Sequence, residues 1–410
     1  MSESTMRIGF VSLHTSPDDM PGSGDAGGMN VVERAQATAL ARRGHQVEMI
    51  TRRTDRRTPA VLELEDGVLL RHLDVGPPVR VAKSAQEAFI PQFAAALAQL
   101  GRWDVVCSQH WMSGAAAIDM CQRLAIPHVQ SFHSLAAPVG ADLSAGEPPE
   151  SPGRLAAEAR LAQESDLVLT ISKAEARTVI ERCGASPDRV TVVPPGVDSR
   201  LFRPRRAGEA LWTPGGADER GYVVFAARLQ PLKAPDLALR AVAAVPEAIR
   251  PHLVIVGDTS VDFAGYRREL DALVAELGLH GQVSFIGPQS RAELARTLRG
   301  ARLLLLPSYS ETFGLVALEA AASGTPTLAT PAGGLPEAIA DGRSGRLLPT
   351  RDPQVWGAEI AALMRDSAAL ASLGRMARAH AERFDWQWVG RRLEEIFGGL
   401  VSERQTAGVR

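Results

Sequence analysis

At 410 residues the chain exceeds the roughly 250 to 300 at which single cores stop growing, so two domains are expected. With 45% hydrophobic and 22% charged residues and a net charge of −2, it reads as an ordinary globular chain without the clustered basic surface that a nucleic-acid partner requires. Its three cysteines, Cys107, Cys121 and Cys183, lack C-x-x-C spacing and cannot all pair, which suits a reducing cytoplasm without structural zinc. The polar lead from Met1 to Met6 does not read as a signal peptide, and no apolar run approaches the roughly 18 residues of a membrane span. Contact of a surface helix with a membrane stays open, and Arg52-Arg53 and Arg56-Arg57 read as solvated loop charges.

The first strand runs from Arg7 to Leu13, and a polar loop from His14 to Gly28 follows it. A helix then carries Val31, Ala35, Leu40 and Ala41 and ends at Gly44, before a strand from Val47 to Thr51. The Gly27-Gly28 pair falls at the helix N-terminus of this βαβ unit, where the lack of side chains lets a phosphate approach. A mobile glycine-rich loop would read the same way. Alternation continues through a strand from Val68 to Leu73, a helix from Glu87 to Leu100, and a strand from Val105 to Cys107. A helix from Ser113 to Leu124, a strand from Pro127 to Ser131 and a turn at Phe132-His133-Ser134 come next. After a Gly, Pro and Ala-rich loop from Ala137 to Gly153, a helix from Arg154 to Ser165, a strand from Leu167 to Ile171, a helix from Lys173 to Arg182 and a strand from Val190 to Val193 complete a doubly wound parallel sheet.

Pro194-Pro195-Gly196 and the Arg, Gly and Pro-rich span from Arg203 to Gly221 read as the domain boundary. The expected domains are 1–202 and 203–385. Strands at Tyr222 to Ala226, Leu253 to Val256, Val283 to Ile286, Leu303 to Leu306, Thr327 to Ala329 and Arg346 to Leu348 repeat the alternation. The fold class is therefore α/β, with two Rossmann-like sheets facing one another across a cleft.

The densest chemistry lies in Pro307-Ser-Tyr-Ser-Glu311-Thr-Phe-Gly-Leu-Val-Ala-Leu-Glu319-Ala-Ala-Ala-Ser-Gly324-Thr-Pro326. A turn leaving a strand's carboxyl end and opening a helix offers free N–H groups and a positive dipole end, suited to diphosphate or ring hydroxyls. Glu311 sits in that turn, and Glu319 lies more than a helical turn deeper, so the two carboxylates reach different parts of one ligand. An acidic helix start with a solvent-facing Glu is the plainer alternative for this motif alone. After the strand ending at Ala226, Arg228 and Lys233 provide a fork-like and a point cation beside Gly314.

Glu311-x7-Glu319 followed by Ala-Ser-Gly-Thr-Pro resembles the signature of retaining GT-B glycosyltransferases of the glycosyl transferase family 4 type. The resemblance implies that Arg228 and Lys233 neutralise the leaving diphosphate and that Glu319 holds the ribose. It also implies that Glu311, with the N–H groups of Phe313, Gly314 and Leu315, holds the sugar, that Gln289 contacts the base, and that His133 lies against the donor sugar. The family pattern G-R-L-x4-K-G reads Ala227-Arg-Leu and Lys233-Ala234 here, keeping the cations and replacing both flanking glycines. The terminal helix, 386–402, is expected to cross back to the first domain. No cofactor is required, a bound metal is not called for, and Mg2+ and a homodimer are left open.

His14-Thr-Ser-Pro, the Pro21-Gly-Ser-Gly-Asp25-Ala-Gly-Gly28-Met-Asn30 loop, Gly76-Pro77, Trp111-Met-Ser-Gly114, Pro149-Glu-Ser151 and Arg228-Leu-Gln-Pro231 resemble one subgroup in particular. These are the mycothiol-pathway transferases that move N-acetylglucosamine from UDP onto 1D-myo-inositol 3-phosphate. His14, Asp25 and Asn30 then fall on the acceptor side, and the phosphate-gripping Lys, Tyr, Thr and Arg positions are Lys83, His110, Ser134 and Arg154. His110 can still donate a hydrogen bond, and an unperturbed imidazole adds charge below about pH 6.5. Leu135-Ala-Ala-Pro-Val-Gly140 carries no Lys, so another cyclitol, a sugar phosphate or a low-molecular-weight thiol, and a GDP-sugar donor, stay open.

Other classes fit less well. A hydrolase or phosphorylase with paired carboxylates needs them on opposite sides of the scissile bond, whereas Glu311 and Glu319 share one loop and helix. A dinucleotide oxidoreductase needs G-x-G-x-x-G in register with the first helix, which is missing. A non-catalytic sugar-binding module would require a cleft that cannot close.

Overall fold

The computed structural model describes residues 5–137 and 152–407. The loop expected between Ala137 and Gly153 falls, but for its ends, outside the described residues, as does the Pro149-Glu-Ser151 match.

The first sheet contains β1 (Arg7–Ser12), β2 (Gln46–Arg52), β3 (Val61–Glu63), β4 (Leu69–Leu73), β5 (Val105–Gln109), β6 (His128–Ser131), β7 (Leu167–Thr170) and β8 (Val190–Val192). Their order is β3-β4-β2-β1-β5-β6-β7-β8, and all pairs are parallel except β3 with β4. The sequence reading missed β3 because its residues are exposed or half-buried at the sheet edge, so no apolar run marks it. The second sheet contains β9 (Tyr222–Ala226), β10 (His252–Val256), β11 (Val283–Gly287), β12 (Leu303–Leu306), β13 (Thr327–Ala329) and β14 (Gly345–Leu347). Their order is β11-β10-β9-β12-β13-β14, all parallel. Strands β5, β9, β10 and β12 are buried throughout, which is why they read as continuous apolar runs rather than as alternation.

In each sheet the chain order reverses beside the first strand, at β1 between β2 and β5 and at β9 between β10 and β12. Loops leaving neighbouring carboxyl ends diverge there, and a crevice opens between them.

The expected helix from Glu87 to Leu100 divides into a tight 3-10 segment, Lys83–Phe89, and an α-helix, Ile90–Leu97. Pro91 lies in the first turn of the α-helix, where its missing N–H costs no intrahelical bond. The helix expected from Ser113 begins at His110 instead.

Helix Trp386–Ala407 packs on the first sheet: Val389, Leu393 and Phe397 share a buried core with Ile8, Phe10 and Leu40. Side chains of this kind stabilise by about 1.5–3 kcal/mol each when fully buried. The two interdomain connections run side by side, with Val197 N–H donating to Phe384 O at 3.1 Å. Gly196 permits this approach, since a Cβ there would stand 2.5 Å from Trp386 N.

Candidate active site between the two sheets

A cavity of about 540 Å³ lies between the strand tips of the two sheets. One wall includes the loops after β1, β4, β5 and β6, the other those after β9, β10, β11 and β12. All but one of the residues singled out from sequence line it.

The exception is Asn30. Its amide donates to Thr15 Oγ1 at 2.9 Å and Ser16 O at 2.8 Å, and its Oδ1 accepts the Gly27 N–H at 2.9 Å. It is buried behind the glycine pair and holds the loop rather than lining the cavity. Gly27 and Gly28 remain on the wall, and a Cβ on Gly27 would stand 3.6 Å from Arg228 Nε. The loop also touches the second domain: Gly22 O accepts from Asp258 N at 3.0 Å, and Asp25 Oδ1 lies 3.7 Å from Arg228 Nη1. Burial raises the Asp25 carboxyl above its ordinary value, against the pull of Arg228.

On the second domain, Lys233 Nζ donates to Glu311 Oε1 at 2.8 Å and to Ser310 O at 3.2 Å. Ser308 Oγ reaches the same carboxylate oxygen at 3.3 Å. Gly314 opens helix Leu315–Ala322 with φ +95°, a left-handed conformation that favours glycine. Ala234, where the family pattern carries glycine, takes φ +53°, so the substituted loop keeps the left-handed turn at a steric cost of about 1 kcal/mol. Gln289 lines the cavity, while its Oε1 accepts from Thr297 Oγ1 at 2.9 Å.

Glu319 is buried and pairs with Arg291 at 2.6 Å, and burial raises its carboxyl above the usual range. Arg291, which also lies over the Phe202 ring at 4.6 Å, was not singled out from sequence. Its available signal was the Ser290/Glu293 capping box, which starts its helix immediately after Gln289.

The first-domain wall is built of imidazoles and cations. The His14 and His110 rings have centroids 4.2 Å apart, and His110 holds φ +69°. His14 Nδ1, both His110 nitrogens and His133 Nδ1 are buried without a hydrogen-bond partner, while His133 Nε2 meets Gln109 Oε1 at 2.6 Å. Burial brings His133 down to about 4. Burial and then the Lys83 charge hold His14 and His110 well below the ordinary value. Charging His110 means desolvating a cation beside another cation, which works against the expected gain of charge below about pH 6.5.

Arg154 Nη2 donates to Ser134 O at 3.1 Å and Ser134 Oγ at 3.2 Å, and its Nε donates to Glu158 Oε1 at 2.7 Å. Glu158 went unremarked in the sequence, although its spacing from Arg154 is that of a helical ion pair. Lys83 lines the same wall from the start of its 3-10 segment. Among the described residues, no cluster of three or more His, Cys, Asp or Glu is arranged to hold a metal ion, and no helix is long and apolar enough to cross a membrane.

Both strand-tip walls thus present polar and charged side chains to one cavity. Residues 27–196 match the family model for the glycosyl transferase 4-like domain, and residues 212–380 that for glycosyl transferases group 1. The chain belongs to the glycosyltransferases. This glycosyltransferase is 39% identical over 409 residues to the D-inositol 3-phosphate glycosyltransferase of Stackebrandtia nassauensis, spanning 97% of this chain and 92% of that one. It is 40% identical over 389 residues to the protein of the same name from Mycobacterium marinum, spanning 93% and 83%. In fold it matches sucrose-phosphate synthase from Thermosynechococcus elongatus with TM-score 0.88 and 27% identity, covering 97% of this chain and 100% of that one. Anabaena HepE in complex with UDP and glucose matches in fold alone, with TM-score 0.75, 19% identity and coverage of 96% and 100%. The facing parallel-sheet domains of this glycosyltransferase form the GT-B fold.

Proposed function

We propose that this glycosyltransferase moves N-acetylglucosamine from UDP-N-acetylglucosamine, with retention, onto 1D-myo-inositol 3-phosphate. The observation that carries the reading is the opposition of two cationic walls across one cavity, Arg228 and Lys233 on one side and Lys83 and Arg154 on the other. One suits a leaving diphosphate and the other an acceptor phosphate. Curated relatives named for the inositol phosphate acceptor, alike over nearly the full chain, support the assignment.

Arg228, Lys233 and the N–H groups that open the helix after Gly314 would take up the negative charge that develops on the leaving phosphate, the largest contribution available to such a site. The acceptor hydroxyl would pass its proton to that phosphate on the same face of the sugar. Neutral His133 offers a hydrogen bond without adding charge. Glu311 is occupied by Lys233 and Glu319 by Arg291, so neither is placed as an opposed acid or nucleophile, which disfavours glycoside hydrolysis.

A second acceptor reading rests on the same wall. His110 stands where the resembled subgroup has Tyr, and Arg154 shares its charge with Glu158, so a less charged cyclitol fits almost as well. The deciding experiment is a panel of UDP- and GDP-sugars against inositol 3-phosphate and unphosphorylated inositol, read by product mass and by the anomeric coupling constant. A phosphorylated α-linked N-acetylglucosaminyl inositol, formed with at least a tenfold preference in kcat/KM, is the expected outcome, corresponding to about 1.4 kcal/mol. Equal or better turnover of the unphosphorylated acceptor would move the assignment to the second reading.

A further inference from the structure

The segment after β13 reaches across the cleft. Gly333 and Gly334 lie against the main chain of the Glu311 loop, where added Cβ atoms would come within 1.9 Å of Glu311 O and 2.2 Å of Thr312 O. Gly334 N–H donates to Glu311 O at 2.9 Å. The short helix Leu335–Ala338 then carries Glu337 over the domain boundary to the N-terminus of helix Lys173–Cys183. There Glu337 Oε2 accepts the Lys173 N–H at 2.9 Å and Oε1 accepts the Ala174 N–H at 3.0 Å. These are orphan donors at the positive end of a helix, and a carboxylate is the group that best satisfies them.

At the same helix end, Ser172 Oγ accepts the Glu175 N–H at 3.0 Å, and Glu175 Oε2 accepts the Ile171 N–H at 2.8 Å. From the other side, Thr312 Oγ1 donates to His133 O at 2.5 Å. The His133 turn, with φ +57°, is thus held through its carbonyl by a second-domain hydroxyl.

We infer that Glu337 is a positioning residue for glycosyl transfer: by capping a first-domain helix from the second domain, it sets the cleft separation at which His133 and the Glu311–Gly314 loop meet one ligand. Glu337 is half-buried, and its bonds can be exchanged for water, so the cap acts as a latch that forms and releases with the cleft. Burial, with a smaller push from Glu337, raises Glu175 to about 7.

The test uses the full chain and the variants Glu337→Ala and Glu337→Gln. Glu337→Ala is expected to lower kcat by about 10²-fold, the loss that a misplacement of roughly 1 Å gives, while affinity for the nucleoside diphosphate changes less than about twofold. Its radius of gyration in solution rises above that of the wild type. Glu337→Gln, which keeps one accepting oxygen, recovers part of both. Unaltered scattering and turnover in Glu337→Ala would overturn the inference, as would equal losses of nucleotide affinity and kcat. Scattering reads the latch whatever the acceptor or sugar proves to be, so a failed donor assignment is distinguished from a failed latch. Melting curves of both variants separate a loosened cleft from an unfolded domain.

Discussion

Lys233 Nζ stands 2.8 Å from Glu311 Oε1, so the cation proposed for the leaving diphosphate and the carboxylate proposed for the sugar are bonded to each other on one wall. Arg228 makes a looser version of the same arrangement with Asp25 across the cleft, at 3.7 Å. In both cases a carboxylate balances a cation where a ligand's negative charge is proposed to settle, so the cationic site is folded without accumulating unopposed charge.

Lys233→Ala should lower kcat by about 10²- to 10³-fold, the usual loss when one donor to a developing anion is removed. Stability should change by only about 1 kcal/mol, because both members of the pair keep some solvent contact. Steady-state kinetics beside a thermal melt check the two halves. Near-normal turnover would show that the phosphate lies elsewhere.

Arg291→Ala should weaken nucleotide binding about tenfold, a loss of about 1.4 kcal/mol, and lower the melting temperature. Glu319 would be left as a buried carboxylate without its cation, a costly arrangement that Glu319→Gln relieves. In a double-mutant cycle, Arg291→Ala combined with Glu319→Gln should therefore be more stable than Arg291→Ala alone. Calorimetric titration and melting of the four proteins give the coupling directly.

The buried histidines predict acid sensitivity with a definite sign. His128 and His133 are each brought by burial to about 4 from an ordinary 6.5, so their stabilisation is present above 6.5 and is lost as pH falls from 6.5 to about 4. Glu175 runs oppositely: raised from 4.5 to about 7, it favours the folded state at acid pH and loses that contribution as pH rises from 4.5 to 7. With His14 and His110 held low as well, the histidine contribution to stability should decline below about pH 6, while the raised carboxyls of Asp25, Glu33 and Glu319 act in the same sense as Glu175. His133→Asn, whose side chain tolerates the left-handed turn, should reduce proton uptake on unfolding near pH 5 by about one proton. Denaturant midpoints across pH 4 to 7 measure it.

Gly314→Ala should destabilise the second domain by about 1–3 kcal/mol and depress turnover. The residue holds φ +95°, and a Cβ would stand 2.5 Å from Leu335 Cδ2 on the element that carries Glu337. A melt and a kcat measurement test this, and an unaffected kcat would detach the Gly314 turn from catalysis.

Several elements were legible locally. The run Leu303 to Leu306 announces a buried strand because every residue of it faces a covered surface, and β9 and β10 read equally well. The exposed edge strand β3 carried no such signal, and Pro91 displaced the start of an α-helix expected at Glu87. Gly27, Arg228, Lys233, Glu311 and Glu319 could be singled out because each falls in or beside a turn at a strand's carboxyl end, where the lining of a cleft is decided by chain order. Asn30 shows the limit of that reasoning: it belongs to the same loop but turns its amide inward to hold the backbone.

What the sequence determined by itself was the alternation of strands and helices, the two-sheet architecture and the chemical kinds of side chain at the strand tips, since these follow from apolar period and from turn residues close along the chain. Only the tertiary structure decided which groups share a charge or a proton. The pairs Asp25–Arg228, Thr312–His133, Arg291–Glu319 and Glu337 with the Lys173 helix join residues distant in sequence, three of them across the domain boundary. Whether His110 is charged or Arg154 unshared likewise depends on burial and on neighbours brought by other elements, and no local pattern encodes how two sheets dock.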